Sequence, residues 1–160
     1  AVGVCAVAYD NSPGQVVVSG ARAAIDRALE LATERGAKRS LLLSVSAPFH
    51  CPLMQPAADA MAEALASTTI GEPAVPVFAN VTATPTSDPE ELRDLLVKQV
   101  TGTVRWRECV EAMRAAEIER FIEIGAGKVL AGLVKRIDRS ATNMSVGAPT
   151  DIEALDTASL

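Results

Sequence analysis

Phe121-Ile122-Glu123-Ile124-Gly125-Ala126-Gly127-Lys128-Val129-Leu130 is the stretch that decides the fold class. Residues 121–124 are β-branched and aromatic apart from one glutamate, and such a short run reads as a strand. Gly125 and Gly127 let the chain turn sharply. From Lys128 to Arg139 the apolar positions Val129, Leu130, Leu133, Val134 and Ile137 recur at helical spacing, so the segment reads as a helix with that face buried. A strand running straight into a helix is the unit of α/β architecture.

Working outward, the rest of the chain repeats that alternation. Val2 to Tyr9 reads as a buried strand, Asp10-Asn11-Ser12-Pro13-Gly14 as a turn, and Gln15 to Ser19 as the return strand of a hairpin. Ala21 to Arg35 has a helical face of Ala21, Ile25, Ala28, Leu29 and Ala32, with Gly36 past its end. Lys38 to Val45, with Leu41-Leu42-Leu43, reads as another buried strand. Leu53 to about Ala66 is helical, with a stripe of Leu53, Ala57, Met61, Ala64 and Leu65. Residues Pro73 to Phe78 read as a short strand and Thr84 to Ser87 as loop. Asp88 as N-cap, Pro89 at N1 and Glu91 at N3 predict a helix opened by a capping box. Further helices are expected over Arg105 to Ala115 and Asp151 to Ala158, with a short strand at Val146.

Bulk composition narrows the function. The chain has 160 residues, of which 49% are hydrophobic and 22% charged, enough for one packed domain or one and a half. Aromatics make up only 3%, so the core is expected to be aliphatic. A net charge of −5 argues against a nucleic-acid partner. No run of 18 apolar residues exists, so no membrane helix is expected, and Ala1 to Cys5 lacks the basic region of a secretory signal. Cys5, Cys51 and Cys109 are odd in number and lack C-x-x-C spacing, which suits reduced thiols and a cytoplasmic location. With one histidine and no cysteine pair, a metal site is not expected.

The one histidine, His50, lies in Ser46-Ala47-Pro48-Phe49-His50-Cys51-Pro52-Leu53-Met54, between an apolar run and a helix. An imidazole in such a loop can act as a general base, because its ordinary pKa of about 6.5 lets it take and return a proton near neutrality. It can equally serve as a structural hydrogen-bonding residue. Gln99 falls on the apolar stripe of Leu92, Leu95, Leu96 and Val100. A buried amide there must be hydrogen-bonded, whether it ties down a loop or orients a catalytic group. Asn11 and Ser12 read first as turn residues. The Gly125 to Leu130 segment suggests a phosphate loop but matches neither G-x-x-x-x-G-K-[ST] nor a complete G-x-G-x-x-G, so a sharp turn is the simpler reading. Lys128, Lys135, Arg136 and Arg139 form an outer basic face on an acidic chain. No serine sits in a G-x-S-x-G elbow, and Cys51 adjoins His50 without geometry that makes it a nucleophile.

Taken in order, Asn11 to Gly20, Gly36-Ala37-Lys38-Arg39, Ser46 to Met54, Pro76-Val77-Phe78-Ala79-Asn80-Val81, Gln99-Val100-Thr101-Gly102-Thr103-Val104-Arg105-Trp106 and Gly125 to Leu130 closely resemble the malonyl-CoA:acyl carrier protein transacylases of type II fatty acid synthesis. The resemblance runs to about Ile137. It implies an α/β-hydrolase-like large subdomain and a ferredoxin-like small one, and ping-pong transfer of malonyl through an acyl-serine without metal or bound cofactor. His50 matches the base that serves the serine and then the phosphopantetheine thiol. Gln99 matches the residue whose backbone carbonyl holds that histidine. Asn11 and Phe49 are the substrate-binding candidates, and a phenylalanine before the histidine goes with malonyl rather than methylmalonyl units in related polyketide domains. The basic face is a candidate contact for acidic carrier protein.

Only the C-terminal half of that family is matched. The G-H-S-x-G elbow, the G-Q-G-S-Q oxyanion segment and the carboxylate-binding arginine have no counterpart here, so residues 1–45 are expected to be a partial ferredoxin-like subdomain and residues 46–160 the C-terminal part of the α/β acyltransferase subdomain. Such a half is expected to need the N-terminal half of the same enzyme for turnover. The alternatives are an acyltransferase domain of a polyketide synthase, a non-catalytic module that binds acyl carrier protein, and a Cys51–His50 thiol hydrolase.

Overall fold

A computed structural model describes residues 3–153 and 155. The elements run β1 (Cys5–Ser12), β2 (Gln15–Gly20), α1 (Arg22–Glu34), a 3₁₀ turn (Pro52–Met54), α2 (Gln55–Ala66), β3 (Val77–Ala79), β4 (Thr84–Thr86), α3 (Pro89–Thr101), α4 (Trp106–Ala115), β5 (Arg120–Ile124), α5 (Val129–Ile137), β6 (Thr142–Val146) and α6 (Pro149–Glu153). The architecture is mixed α/β. Among the described residues the strands form three two-stranded sheets: antiparallel β1–β2, antiparallel β3–β4 and parallel β5–β6.

The decisive stretch folds as read. β5 passes through Gly125 (φ +137°) and Gly127 (φ +97°) into α5. The phosphate-loop reading fails for a physical reason. Glu123 turns its carboxylate onto the free amides of the helix, accepting from Ala131 N at 2.8 Å and Leu130 N at 3.1 Å. Those donors, led by Ala131, hold its carboxyl below the usual glutamate range. The anion that this helix start favours is therefore the protein's own.

Behind it lies the core, where Val110 of α4, Val134 of α5 and Ala141 meet Trp106, Phe121 and Ile137. Both α4 and α5 also pack on β1. Arg114 at the end of α4 donates to Asp138 Oδ2 at 2.7 Å, while Ser140 donates its hydroxyl (2.6 Å) and amide (2.8 Å) to Oδ1. Ser140 first, then Arg114, pulls the Asp138 carboxyl from its ordinary 3.8 down to about 2. The lowered value means that this contribution is present above about pH 4 and is lost as pH falls through 2. Thermal midpoints of the wild type and of Asp138→Asn are expected to differ at pH 5 and to converge by pH 2. A gap that persists unchanged at pH 2 would refute the assignment.

Several expectations are corrected. β1 extends through Asn11 and Ser12, so the turn proper is Pro13-Gly14; Ala1 and Val2 lie outside the described residues. Residues 38–45 form no strand. Leu41 is 47% and Leu43 53% exposed, because backbone donors and acceptors need a neighbouring strand and none lies alongside among the described residues. The stripe expected on α2 is mostly exposed too; the helix instead buries Ala58, which lies outside that stripe. Thr84 to Thr86, expected as loop, pairs with β3, which starts only at Val77. The cap of α3 keeps Asp88, whose carboxylate accepts from Glu90 N at 2.9 Å, but Glu91 bonds the Thr86 hydroxyl instead of closing a box. α5 ends at Ile137 and leaves Val129 and Leu130 exposed. β6 is longer than the short strand read at Val146. The last helix begins at Pro149, and its expected continuation over residues 154 and 156–158 lies outside the described residues.

Candidate functional site

Helix α3 stops because residue 102 leaves helical geometry, with φ −90° and ψ 156°. The last four carbonyls of a helix lack an in-helix partner. The Gly102 amide turns back to Lys98 O at 2.9 Å, which leaves the next carbonyl, Gln99 O, unclaimed by the helix. That oxygen receives His50 Nδ1 at 2.8 Å.

The contact fixes the tautomer. A carbonyl can only accept, so Nδ1 carries a proton, and in the neutral ring the lone pair is therefore on Nε2. The Gln99 side-chain amide nitrogen lies 3.3 Å from the same Nδ1, but two donors do not bond, so the backbone carbonyl is the partner that matters. Among the described residues Nε2 has no hydrogen-bond partner.

His50 adopts φ +56°, a left-handed conformation that costs most residues about 1–2 kcal/mol. Its neighbour holds it there. Cys51 is completely buried, and its thiol donates to Pro48 O at 3.2 Å while its carbonyl accepts Met54 N to start the 3₁₀ turn. A thiol packed and turned in this way gives no support to a Cys51–His50 hydrolase. Cys109 is equally buried, and burial pushes its thiol up to about 11, away from thiolate chemistry.

The other candidates scatter. Phe49 precedes His50 and is 42% exposed. Asn11 is half-buried at an irregularity of the β1–β2 ladder, between Asp10 and Ser12. The basic residues are spread along the length of α5. Lys128 lies at the N-terminal end of α5, whereas Lys135, Arg136 and Arg139 lie at and beyond its other end. Arg136 is also engaged with Gln15, donating to its Oε1 at 2.6 Å. Among the described residues no cluster of three potential metal ligands occurs, and no helix is long and apolar enough to cross a membrane.

Sequence reasoning missed Tyr9. Its ring meets that of His50 edge-on, with centroids 4.8 Å apart and planes at 80°. The available signal was scarcity: it is the single tyrosine of a chain with 3% aromatics.

The structure thus presents one histidine, anchored on Gln99 O, from a loop with left-handed backbone within a small mixed α/β frame. The chain belongs to the acyl transferase domain family, whose profile matches residues 3–149. It is 44% identical over 144 residues to the malonyl CoA-acyl carrier protein transacylase of Escherichia coli strain K12, covering 90% of this chain and 47% of that protein. The acyl-carrier-protein-S-malonyltransferase of Bartonella henselae superposes with a TM-score of 0.90 at 50% identity, over 94% of this chain and 48% of that one. A malonyl-transacylase solved in complex with its type II polyketide acyl-carrier protein gives 0.90 at 40% identity, over 96% and 50%. The chain thus spans about half the length of the relatives it matches.

Proposed function

We propose that this chain is the histidine-bearing half of a malonyl-CoA:acyl carrier protein transacylase, with His50 as its general base. The observation that carries the reading is the 2.8 Å bond from His50 Nδ1 to Gln99 O, which leaves Nε2 as a free acceptor. The nucleophilic serine comes from the other half of the enzyme. Its hydroxyl gives its proton to Nε2 as the oxygen attacks the malonyl thioester carbon. The C–S bond breaks, and the departing CoA thiolate takes the proton back from the imidazolium. In the second half-reaction the phosphopantetheine thiol of acyl carrier protein gives its proton to Nε2 and attacks the acyl-serine; the serine oxygen leaves and is reprotonated.

An absent companion segment is supported by the surface. Leu41, Leu42, Leu43 and Val45 are exposed and belong to no strand, Ile124 is 84% and Val129 70% exposed beside the sheet, and a two-stranded parallel sheet is rarely stable alone. On this reading residues 1–45 belong to a small ferredoxin-like subdomain and residues 46–160 to the larger one. Phe49 and Asn11 face the malonyl group, and Lys135 and Arg139, the basic residues at one end of α5 without a described side-chain partner, contact acidic carrier protein. The location proposed is cytoplasmic, in keeping with three free cysteines.

The test is denaturing mass spectrometry of the purified protein with and without malonyl-CoA. A gain of one malonyl group, on a serine outside these 160 residues, is the expected result. An adduct on Cys51 or on His50 itself, or full-length protein that takes up no malonyl, would overturn the reading.

A further inference from the structure

We propose that Tyr9 is a positioning residue for His50, closing one side of the imidazole so that Nδ1 stays on Gln99 O and Nε2 alone is presented for proton transfer. The inference rests on the base role given to His50 above. An imidazole held by one hydrogen bond can still pivot about that bond. A second contact from a different direction removes this freedom, and the tyrosine ring supplies it at 4.8 Å with its plane at 80° to the imidazole.

Tyr9 can do so because its own backbone is fixed to the element that carries Gln99. Directly beyond α3, Val104 forms a parallel bridge with Tyr9: Val104 N donates to Ala8 O at 2.8 Å, and Asp10 N donates to Val104 O at 2.9 Å. Thr103 adds a bond from its hydroxyl to Val7 O at 2.6 Å. One residue along β1, Asp10 takes the guanidinium of Arg107 at 2.7 Å and 3.0 Å on Oδ2. The strand bearing Tyr9 and the helix end bearing Gln99 are therefore one frame, and His50 is clamped between two of its members. The β1–β2 ladder shifts register between Val7 and Tyr9, which re-aims the strand at the point where the ring is needed.

The contact uses the ring and not the hydroxyl, so Tyr9→Phe is the conservative variant and Tyr9→Leu removes the aromatic clamp while keeping bulk. Two readouts in the full-length protein decide. The first is the NMR position of the His50 ring protons, assigned by their loss in His50→Asn. They are expected to sit away from the free-histidine position through the ring current of Tyr9, to stay there in Tyr9→Phe, and to move toward it in Tyr9→Leu. The second is kinetic: Tyr9→Leu is expected to lower kcat roughly 10–100-fold with KM for malonyl-CoA unchanged, as misplacement of a reacting group does. Tyr9→Phe should keep wild-type kcat. Wild-type kcat in Tyr9→Leu, with His50→Asn inactive, overturns the positioning role alone; an active His50→Asn enzyme overturns the base role itself. If Tyr9→Leu does not fold, a loss of kcat in folded Tyr9→Phe, or His50 ring protons at the free-histidine position in the wild type, still overturns it.

Discussion

His50→Ala is expected to reduce malonyl transfer by the full-length protein roughly 10²–10⁴-fold, the range over which a positioned acid–base group acts. On the proposed base role the loss should fall on kcat, because the imidazole would work on the proton and not on holding substrate. The alanine variant has a complication that the geometry exposes. At φ +56° a residue with a Cβ is strained, and histidine, asparagine and aspartate are the types that tolerate this region best. His50→Asn is therefore the cleaner variant: it removes the base, keeps the backbone conformation and should lose as much activity at a higher thermal midpoint than His50→Ala. Gln99→Ala provides the contrast. Its carbonyl belongs to the backbone and survives the substitution, so a smaller loss is expected than at His50. Near-normal steady-state turnover in both His50 variants would remove the base role, whereas a Gln99→Ala enzyme as impaired as His50→Asn would shift the anchoring from the carbonyl to the side-chain amide.

The contrast between these residues also shows what could be read from the chain. His50 was legible because it is unique and sits at a loop–helix junction, and the helices were legible because their punctuation is local: Asp88-Pro89 opens α3 and Gly36 closes α1. What failed was long-range. The Leu41–Val45 run has the composition of a buried strand, but strand formation depends on an edge elsewhere, and the described residues offer none. The apolar stripe of α2 likewise marks a face without showing what covers it. Tyr9 lies 41 positions from His50, so no periodicity or spacing rule links them. Only the stitching of residues 7–10 to residues 103–107 brings the ring to the imidazole. The role of the Gln99 carbonyl came from the family resemblance, and the structure supplies the reason the oxygen is available: it is among the last carbonyls of a helix that ends at the next turn.

Gly20→Ala is expected to be the most damaging small substitution for stability, and a comparison with Gly14→Ala isolates why. Both glycines lie in the β1–β2 hairpin. A methyl group on residue 14 would meet nothing within 4 Å, so its cost comes only from the backbone conformation at φ +75°, about 1–2 kcal/mol. A methyl on residue 20 would lie 2.0 Å from Val4 O, 2.7 Å from Val4 C and 3.0 Å from Cys5 Cα. All three are backbone atoms, so no side chain can swing aside. Relief requires β1 and β2 to separate where Cys5 faces Gly20, and it would strain the adjoining bond from Ala21 N to Val4 O at 2.8 Å. That places the expected loss at about 3 kcal/mol or more, beyond the common range for a single substitution. In urea, the midpoint should fall well below that of Gly14→Ala with the slope unchanged. Equal midpoints would mean that the strands do not approach each other closely at this end. The same displacement would travel along β1 toward Tyr9, so whatever Gly20→Ala protein remains folded should also show reduced kcat, a loss that Gly14→Ala at the open tip of the hairpin should not share.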